Sequence, residues 1–340
     1  MILLTHTDAA RALYYGARAE AGLRALGPVR LNPAGPLEGR ALIEAARDIR
    51  VIVADRAVPA PAGLFEALPA LVAFVRGAVD IRTVDVAAAS AAGVLVTQAS
   101  PGFVAAVCEL VLGLMVDLSR GVSDAASAYR AGRQPGVRTG RQIAGATVGV
   151  IGYGSIGRRL ARLLRAMDAR VLVADPHVQV ADGPEQVALP VLLAQSDFVV
   201  CLAVAVPETA NLLNAETLAA MKPGAFLINA ARGELLDEAA LVAALARGHL
   251  AGAALDVGRA PDQMPSPALA ARPDVIATPH IGGLTQEAAE HQAMETVRQV
   301  EAILRGVAPV GAVNASHARR LGPAALGATK VPQRRGEECS

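Results

Sequence analysis

Residues 148–175 read VGVIGYGSIGRRLARLLRAMDARVLVAD, and the organisation of the whole chain follows from them. The stretch begins within a mainly apolar run, residues 147–151, which is long enough for a buried parallel strand. Three glycines follow in the spacing G-x-G-x-x-G, at Gly152, Gly154 and Gly157. A helical pattern of apolar residues and a second apolar run come next, ending at Asp175. This order predicts a parallel βαβ unit.

Each part of this unit suits a dinucleotide. Gly152 permits a tight turn, Gly154 lets the backbone approach a pyrophosphate, and Gly157 lets the helix pack closely on the strand. The free N–H groups at the start of the helix face the phosphates. Asp175 lies 175 − 157 = 18 positions after the last glycine, near the spacing at which an acid accepts the ribose hydroxyls. Because a carboxylate repels a 2′-phosphate, we predict NAD as the cofactor.

Composition restricts the possible partners. The chain has 340 residues, enough for two domains, and its formal net charge of +1 gives no broad basic surface. We therefore expect neither a nucleic-acid nor a membrane partner. Hydrophobic residues make up 53% and aromatic residues only 3%, so the cores must consist mainly of Ala, Val and Leu.

The three cysteines form no C-x-x-C pair, so the sequence suggests neither disulfides nor a metal site. The N-terminal residues lack the pattern of a signal peptide, and no apolar run is long enough for a bilayer span. These features predict a cytoplasmic protein.

Strand-like and helix-like patterns alternate over the first hundred residues, which predicts a parallel sheet covered by helices on both faces. Residues 101–119 then form a long apolar helix that either links two domains or packs against a partner subunit. The alternation resumes after Asp175, and residues 286–305 have the pattern of a long amphipathic helix. From residue 314 the chain is polar, basic and interrupted by Gly and Pro, which predicts a disordered tail.

Three polar residues follow predicted strands of the second domain: Arg232, Asp256 and His280. Ligands of an open parallel sheet bind beyond the carboxyl ends of its strands. An arginine offers a planar fork of donors to a carboxylate, and a histidine exchanges a proton near neutral pH. With NAD as hydride carrier, these groups suit the oxidation of a hydroxyl beside a carboxylate. Taken singly, each residue also has a structural explanation: a surface ion pair, a turn cap or a structural loop histidine.

The segments NAARGELLDEAAL, AGAALDVG and ATPHIGG resemble the signature segments of the D-isomer-specific 2-hydroxyacid dehydrogenase family. The similarity runs over residues 71–304. It implies an α/β protein of two domains, in which a Rossmann-type NAD-binding domain is inserted into a flavodoxin-like substrate-binding domain. We place the first part of the substrate domain at 1–98, the NAD-binding domain at 99–284, the C-terminal helix of the substrate domain at 285–313 and the tail at 314–340.

The resemblance also implies roles for individual residues. Arg232 would bind the substrate carboxylate and carbonyl, and His280 would be the acid/base. The loop RGAVDIRTVD, residues 76–85, would cradle the substrate carboxylate with backbone amides centred on Val79 and Asp80. The residues implied to contact the cofactor, besides the three glycines and Asp175, are Ser155 and Ile156 at the pyrophosphate and Ala230, Ala231, Arg232, Asp256, His280 and Gly282 at the nicotinamide half.

Several positions depart from the family pattern. A Glu that usually follows the acid at position 256 by five residues, and supports the histidine, is replaced by Pro261. Asp262 beside it either takes over this catalytic support or is a solvated loop charge. Phe103 replaces an Asn, Leu202-Ala203-Val204 replaces a His-x-Pro segment, and Asp80 stands where a small neutral residue is usual. These changes leave the identity of the substrate open.

Three hypotheses follow. The first is an NAD-dependent D-2-hydroxyacid dehydrogenase, working as a 2-ketoacid reductase on a small 2-keto or 2-hydroxy acid, with a homodimer as the expected assembly. The second is a non-catalytic NAD(H)-binding interaction module of the same fold, which the departures permit. The third is another two-domain NAD enzyme, such as an amino-acid dehydrogenase, which the PHIGG and ARGELLDE segments disfavour.

Overall fold

The computed structural model describes residues 1–32, 35–181 and 183–322, and at position 262 it describes the backbone alone. The chain forms two compact units. The first consists of Met1–Gly102 and the chain from Gln286 onward, and the second of Phe103–Thr285. The insertion of one unit into the other thus lies at 102/103 and 285/286, within four residues of the boundaries expected from the sequence.

The strands are β1 (Ile2–Leu4), β2 (Val29–Leu31), β3 (Val51–Ala54), β4 (Ala73–Arg76), β5 (Leu95–Thr97), β6 (Thr147–Ile151), β7 (Arg170–Ala174), β8 (Glu185–Gln186), β9 (Phe198–Cys201), β10 (Ala225–Asn229), β11 (Leu250–Leu255) and β12 (Val275–Ala277). The α-helices are α1 (Asp8–Tyr14), α2 (Gly16–Leu26), α3 (Gly39–Ala45), α4 (Ala62–Ala67), α5 (Val86–Ala92), α6 (Val104–Arg120), α7 (Val122–Arg130), α8 (Ser155–Ala166), α9 (Leu189–Gln195), α10 (Ala215–Ala219), α11 (Glu238–Ala246), α12 (Pro267–Ala270) and α13 (Gln286–Leu304). Short 3₁₀ turns occupy Pro207–Thr209, Gly233–Leu235, Pro261–Gln263 and Ala315–His317.

The first unit contains a five-stranded parallel sheet in the order β2-β1-β3-β4-β5, which is the flavodoxin-like order. Alternate side chains of β1 enter opposite cores: Ile2 and Leu4 join a core that includes α2 and α13, while Leu3 joins one that includes α3, α4 and α5. Helices therefore cover both faces of the sheet, which confirms the prediction. The strand order reverses between β1 and β3, where such sheets bind their ligands.

The second unit contains a seven-stranded parallel sheet in the order β12-β11-β10-β9-β6-β7-β8. Its order reverses between β6 and β9, as in a Rossmann fold extended at one edge. Two cores, one on each face, bury the strands under α6 and α8 on one side and under α9 to α12 on the other. The predicted α/β class is confirmed in both units.

The apolar helix α6 packs largely within its own unit. Val107, Val111 and Leu114 lie in a core of the second unit, whereas Glu109 and Val116 belong to an exposed stripe. The helix is therefore amphipathic, although its sequence is apolar along most of its length. Among the described residues, every helix is too short or too polar to cross a membrane.

The segment 314–322 is ordered, although the sequence predicted disorder from 314. Asn314 is 6% exposed; its Oδ1 accepts a hydrogen bond from Val96 N at 2.8 Å, and its Nδ2 donates to Val94 O at 3.0 Å. Arg320 Nη1 donates to Leu68 O and Leu71 O, each at 2.9 Å. Polar side chains thus hold this segment in place by hydrogen bonds to backbone groups. The pattern of apolar residues in the sequence does not reveal such contacts. The remainder of the predicted tail, 323–340, lies outside the described residues.

Candidate active site

The turn that follows β6 requires glycine at its first position. Gly152 has a φ of +96°, a conformation that L side chains rarely adopt. A Cβ atom there would also lie 2.7 Å from the carbonyl oxygen of Leu202, at the end of β9. The backbone therefore turns directly against the neighbouring strand, at the point where the strand order reverses.

The other two glycines serve different purposes. A Cβ at Gly157 would lie 2.3 Å from the carbonyl oxygen of Gly152, so α8 packs against the turn with no room for a side chain. Around Gly154, in contrast, a Cβ would meet no atom within 4 Å, and the residue is exposed. Gly154 is the N-cap of α8 and has no side chain with which to cap it. Open space beside the first N–H groups of a helix fits a dinucleotide pyrophosphate.

Asp175, directly after β7, is fixed beside this turn. Its Oδ2 accepts a hydrogen bond from Tyr153 N at 2.8 Å, and its Oδ1 accepts one from His177 N at 2.9 Å. The acid and the glycine turn are thus joined through the backbone of Tyr153. Of the two predicted pyrophosphate residues, Ser155 is exposed as the first residue of α8, and Ile156 is half-buried against the core.

The turn carrying Arg232 is shaped by Asn229, which the sequence analysis missed. Asn229 is fully buried as the last residue of β10; its Oδ1 accepts from Ala231 N at 3.1 Å, and its Nδ2 donates to Arg232 O at 3.0 Å. This side chain therefore holds the turn formed by Ala230 and Ala231 and fixes where Arg232 leaves the sheet. The sequence does carry a signal for this role, because a polar residue ends an otherwise apolar strand.

Asp256 holds the loop that carries His280. It is 2% exposed; its Oδ1 accepts hydrogen bonds from Thr278 Oγ1 at 2.6 Å and from Ile281 N at 2.9 Å, and its Oδ2 accepts one from Gly282 N at 2.8 Å. A Cβ at Gly282 would lie 2.7 Å from Asp256 Oδ2, so glycine is needed for this contact. The geometry thus matches the turn-cap alternative.

His280 has a left-handed backbone with a φ of +54°, which costs about 1 kcal/mol or more for a residue with a side chain. Its N–H donates to Thr278 O at 2.9 Å, and its side chain is half-buried. Strained residues of this kind are held in place by their surroundings and concentrate at functional sites. Here the surroundings are the Asp256 contacts on either side of the histidine.

Two of the positions that depart from the family pattern have structural explanations. A Cβ at Gly283 would lie 3.2 Å from Phe103 Cβ, so Phe103 packs against the end of the His280 loop. Pro261 begins a 3₁₀ turn, Pro261–Gln263, in the connection after β11. The side chain of Asp262 lies outside the described residues.

The connection after β11 packs against the turn that carries Arg232. A Cβ at Gly233 would lie 2.2 Å from the carbonyl carbon of Gly258. Arg259 Nη2 donates to Glu234 O at 3.1 Å and to Asn211 Oδ1 at 2.6 Å. These contacts therefore fix the backbone of the Arg232 turn and of the connection after β11.

The second unit therefore brings most of the predicted site residues to one edge of one sheet. Arg232, Asp256 and His280 follow β10, β11 and β12, which are adjacent strands, and the glycine turn follows β6 at the same carboxyl edge. Val79 and Asp80 belong to the first unit, where they follow β4 at the carboxyl edge of that sheet. No cluster of acidic, histidine or cysteine side chains that could hold a metal occurs among the described residues.

Comparisons with known proteins agree with this arrangement. Residues 112–282 match the model of the D-isomer specific 2-hydroxyacid dehydrogenase, NAD binding domain. The chain is 36% identical over 244 residues to the D-3-phosphoglycerate dehydrogenase of Synechocystis sp.. The aligned residues cover 70% of this chain and 44% of that protein. It is 32% identical over 285 residues to the glyoxylate reductase of Thermococcus onnurineus, covering 80% of this chain and 85% of that protein.

Among solved structures, the TT0316 protein of Thermus thermophilus superposes with a TM-score of 0.83 at 30% identity, covering 92% of this chain and 99% of that one. The chain spans about half the length of the phosphoglycerate dehydrogenases that it matches. The second unit is a domain that binds a nicotinamide dinucleotide. It contains the glycine turn, Asp175 and the open space at the start of α8. The chain belongs to the D-isomer specific 2-hydroxyacid dehydrogenase family.

Proposed function

We propose that this protein is an NAD-dependent enzyme that interconverts a D-2-hydroxy acid and its 2-keto acid, acting mainly as a reductase. The observation that carries the proposal is the placement of Arg232 after β10 and His280 after β12, on either side of β11, at the edge that also holds the glycine turn. When bound, the dinucleotide supplies or accepts the hydride. The preference is for NAD, because the Asp175 carboxylate opposes a 2′-phosphate.

The protein's own residues then have distinct tasks. The Arg232 guanidinium binds the substrate carboxylate and orients the carbonyl, since its fork of donors matches two oxygens. In the first unit, the backbone amides of Val79 and Asp80 are the proposed cradle for a carboxylate. His280, as imidazolium, donates a proton to the carbonyl oxygen during reduction and accepts it back during oxidation. Asp256 acts through the backbone, because it holds the loop on which the histidine stands.

A homodimer is the proposed assembly. Large apolar side chains are exposed within a short stretch of the second unit, at Val116, Val122, Tyr129 and Val137. Apolar surface of this kind marks association sites. A reducing compartment such as the cytoplasm is the proposed location, in keeping with the free thiols of Cys108 and Cys201.

The names of the relatives point to two kinds of substrate, a phosphorylated acid and an unphosphorylated one. The test is the loss of NADH absorbance with glyoxylate, hydroxypyruvate, pyruvate, phenylpyruvate and 3-phosphohydroxypyruvate. We expect turnover with at least one unphosphorylated 2-keto acid. Tight NADH binding without turnover of any of the five would contradict the proposal and favour the non-catalytic binding module.

A further inference from the structure

Arg259, in the connection after β11, donates hydrogen bonds to two carbonyl oxygens of the turn that contains Arg232. Its Nη2 donates to Glu234 O at 3.1 Å and to Leu236 O at 3.2 Å, and its Nε donates to Leu236 O at 3.3 Å. The residue is exposed, so its side chain lies on the solvent side of the turn. An arginine fork presents several donors in a fixed plane, which suits it to join neighbouring acceptors. Arg259 therefore ties together the backbone that follows Arg232.

The same guanidinium also reaches the connection after β9. Arg259 Nη2 donates to Asn211 Oδ1 at 2.6 Å, and Asn211 N donates to Glu234 O at 2.9 Å. Asn211 has a left-handed backbone with a φ of +53°, a conformation that asparagine adopts more readily than most residues. Leu213, two residues further on, forms a parallel bridge with Leu236. Arg259 thus joins three segments, which follow β9, β10 and β11.

Other groups hold the same turn from the interior. Asn229 Nδ2 donates to Arg232 O at 3.0 Å, and Leu235 and Leu236 are buried in a core of the second unit. Arg232 itself has an extended backbone, with a φ of −148° and a ψ of 149°. The course of the turn is therefore fixed by Asn229 and the two leucines on the interior side and by Arg259 on the solvent side.

The connection that carries Arg259 is itself anchored. Gly258 N donates to Gln263 O at 2.8 Å, which closes the connection into a compact loop. Arg259 N donates to Glu238 Oε1, at the start of α11, at 3.3 Å. A Cβ at Gly233 would collide with the backbone of Gly258, so the loop also packs directly on the turn. The guanidinium therefore holds the turn from a fixed support.

We propose that Arg259 is a positioning residue for carboxylate recognition, because it holds the turn from which the Arg232 guanidinium meets the substrate carboxylate. This inference rests on the proposed function, in which Arg232 binds that carboxylate. Arg259 acts through the backbone of the turn, as Asp256 does for the loop that carries His280. Two-pronged binding of a carboxylate requires both donors to be aligned with both oxygens. A shift of the turn by about 1 Å is therefore enough to weaken it.

The first test compares the parent with Arg259→Met, which keeps the length of the stem and removes every donor. The substrate is glyoxylate, pyruvate or hydroxypyruvate, whichever the parent reduces fastest. We expect KM to rise about tenfold while kcat stays within about threefold, because the loosened turn weakens the hold on the carboxylate and leaves hydride and proton transfer in place. The NADH dissociation constant, measured by fluorescence titration, should stay within about twofold of the parent.

Two further variants separate the contacts of Arg259 from its charge. Arg259→Lys keeps the charge but replaces the fork by one ammonium group, so its KM should lie between those of the parent and Arg259→Met. Asn211→Gly keeps a residue that accepts the left-handed backbone and removes the Oδ1 acceptor, and we expect KM to rise about threefold. Combining Asn211→Gly with Arg259→Met should add little to the effect of Arg259→Met, because both changes remove the same hydrogen bond.

The matched control is Arg170→Met, in the same unit. Arg170 is an exposed arginine at the amino end of β7, and it donates to Gln195 Oε1 at 3.0 Å and to Glu185 Oε2 at 2.7 Å. Its replacement makes the same change in charge and should leave KM unchanged. An unchanged KM in Arg259→Met, or an equal rise in Arg170→Met, would overturn the proposal. If thermal unfolding shows that Arg259→Met does not fold, Arg259→Lys decides, and a KM equal to that of the parent would overturn it.

Oxamate binding separates this proposal from the reductase reaction itself. Oxamate has a carboxylate beside a carbonyl, so titration calorimetry with NADH present measures carboxylate binding without turnover. If the parent reduces a 2-keto acid but Arg259→Met keeps the KM of the parent, the positioning role fails and the reductase stands. If no 2-keto acid is reduced, the reductase fails, and oxamate binding that is weaker in Arg259→Met but not in Arg170→Met still supports the positioning role. Absence of both turnover and oxamate binding in the parent would overturn both proposals.

Discussion

His6, two residues after the end of β1, places an ionisable side chain in the interior of the first unit. It is 3% exposed, its ring centroid lies 4.9 Å from that of Tyr15, and its Nε2 is 3.6 Å from Asp55 Oδ2. Burial lowers the pKa of His6 to about 4; Asp55 opposes this shift, and Arg11 and Arg76 add to it. The imidazole is therefore neutral at pH 7, and its approach to Asp55 is not an ion pair there.

The pKa of His6 makes the stability of the protein depend on pH. Above the unfolded value of about 6.5 the histidine is neutral in both states and has no effect. As the pH falls from about 6.5 towards 4, the unfolded chain binds a proton that the folded chain excludes, so the free energy of unfolding falls, by up to about 3 kcal/mol.

The variant His6→Gln removes this proton linkage. We expect urea unfolding between pH 7 and pH 4.5 to show a smaller loss of stability for the variant than for the parent. The exposed His317→Gln serves as control and should keep the slope of the parent. Equal slopes for His6→Gln and the parent would contradict the assignment.

Two glycines after β6 differ in their surroundings: Gly157 is tightly packed, and Gly154 is open. A methyl group at position 157 would collide with the backbone oxygen of Gly152, whereas position 154 is open and has an ordinary φ of −73°. Gly157 is thus needed for packing, and Gly154 leaves open space that a ligand can fill. These two roles were predicted from the spacing of the motif.

Two alanine variants test this separation. Gly157→Ala should lower the free energy of unfolding by about 1–3 kcal/mol, because α8 must move away from the turn, and should weaken NADH binding as well. Gly154→Ala should leave stability unchanged or slightly raised but weaken NADH binding, since its methyl group stands where the pyrophosphate approaches. Thermal unfolding and NADH fluorescence titration give the two quantities. Undiminished NADH affinity in Gly154→Ala would contradict the placement of the cofactor.

Much of the architecture could be predicted because parallel strands buried on both faces are continuous apolar runs, as in β3 and β9. The βαβ unit around Gly152 was predictable for the same reason, with glycine spacing added. Roles that depend on side-chain direction were not. Asp256 points into the loop that carries His280, Asn229 shapes the Arg232 turn, and Asn314 hydrogen-bonds to the backbone of β5 and the residue before it. Asp256 and Asn314 depend on hydrogen-bond partners distant in sequence, and Asn229 depends on the path of the backbone just after it; a pattern of polarity specifies neither.

At the scale of the whole molecule, the proposed dimer predicts a change in mass. Tyr129→Glu combined with Val137→Glu places charges on the exposed apolar stretch of the second unit, which should oppose association. Sedimentation velocity should show a dimer for the parent and a monomer for this variant. Leu13→Glu, which charges an exposed apolar position of the first unit, should remain dimeric. A parent that sediments as a monomer would contradict the assembly.

The central claim is that His280 transfers the proton in an NADH-dependent reduction. The most direct measurement is the turnover of His280→Asn on the best 2-keto acid, together with its NADH dissociation constant. Asparagine is the appropriate replacement because it tolerates the left-handed backbone at this position, so the loop held by Asp256 is preserved. We predict a loss of kcat of about 10²–10⁴-fold with NADH affinity within about twofold of the parent. Turnover within tenfold of the parent would contradict the account.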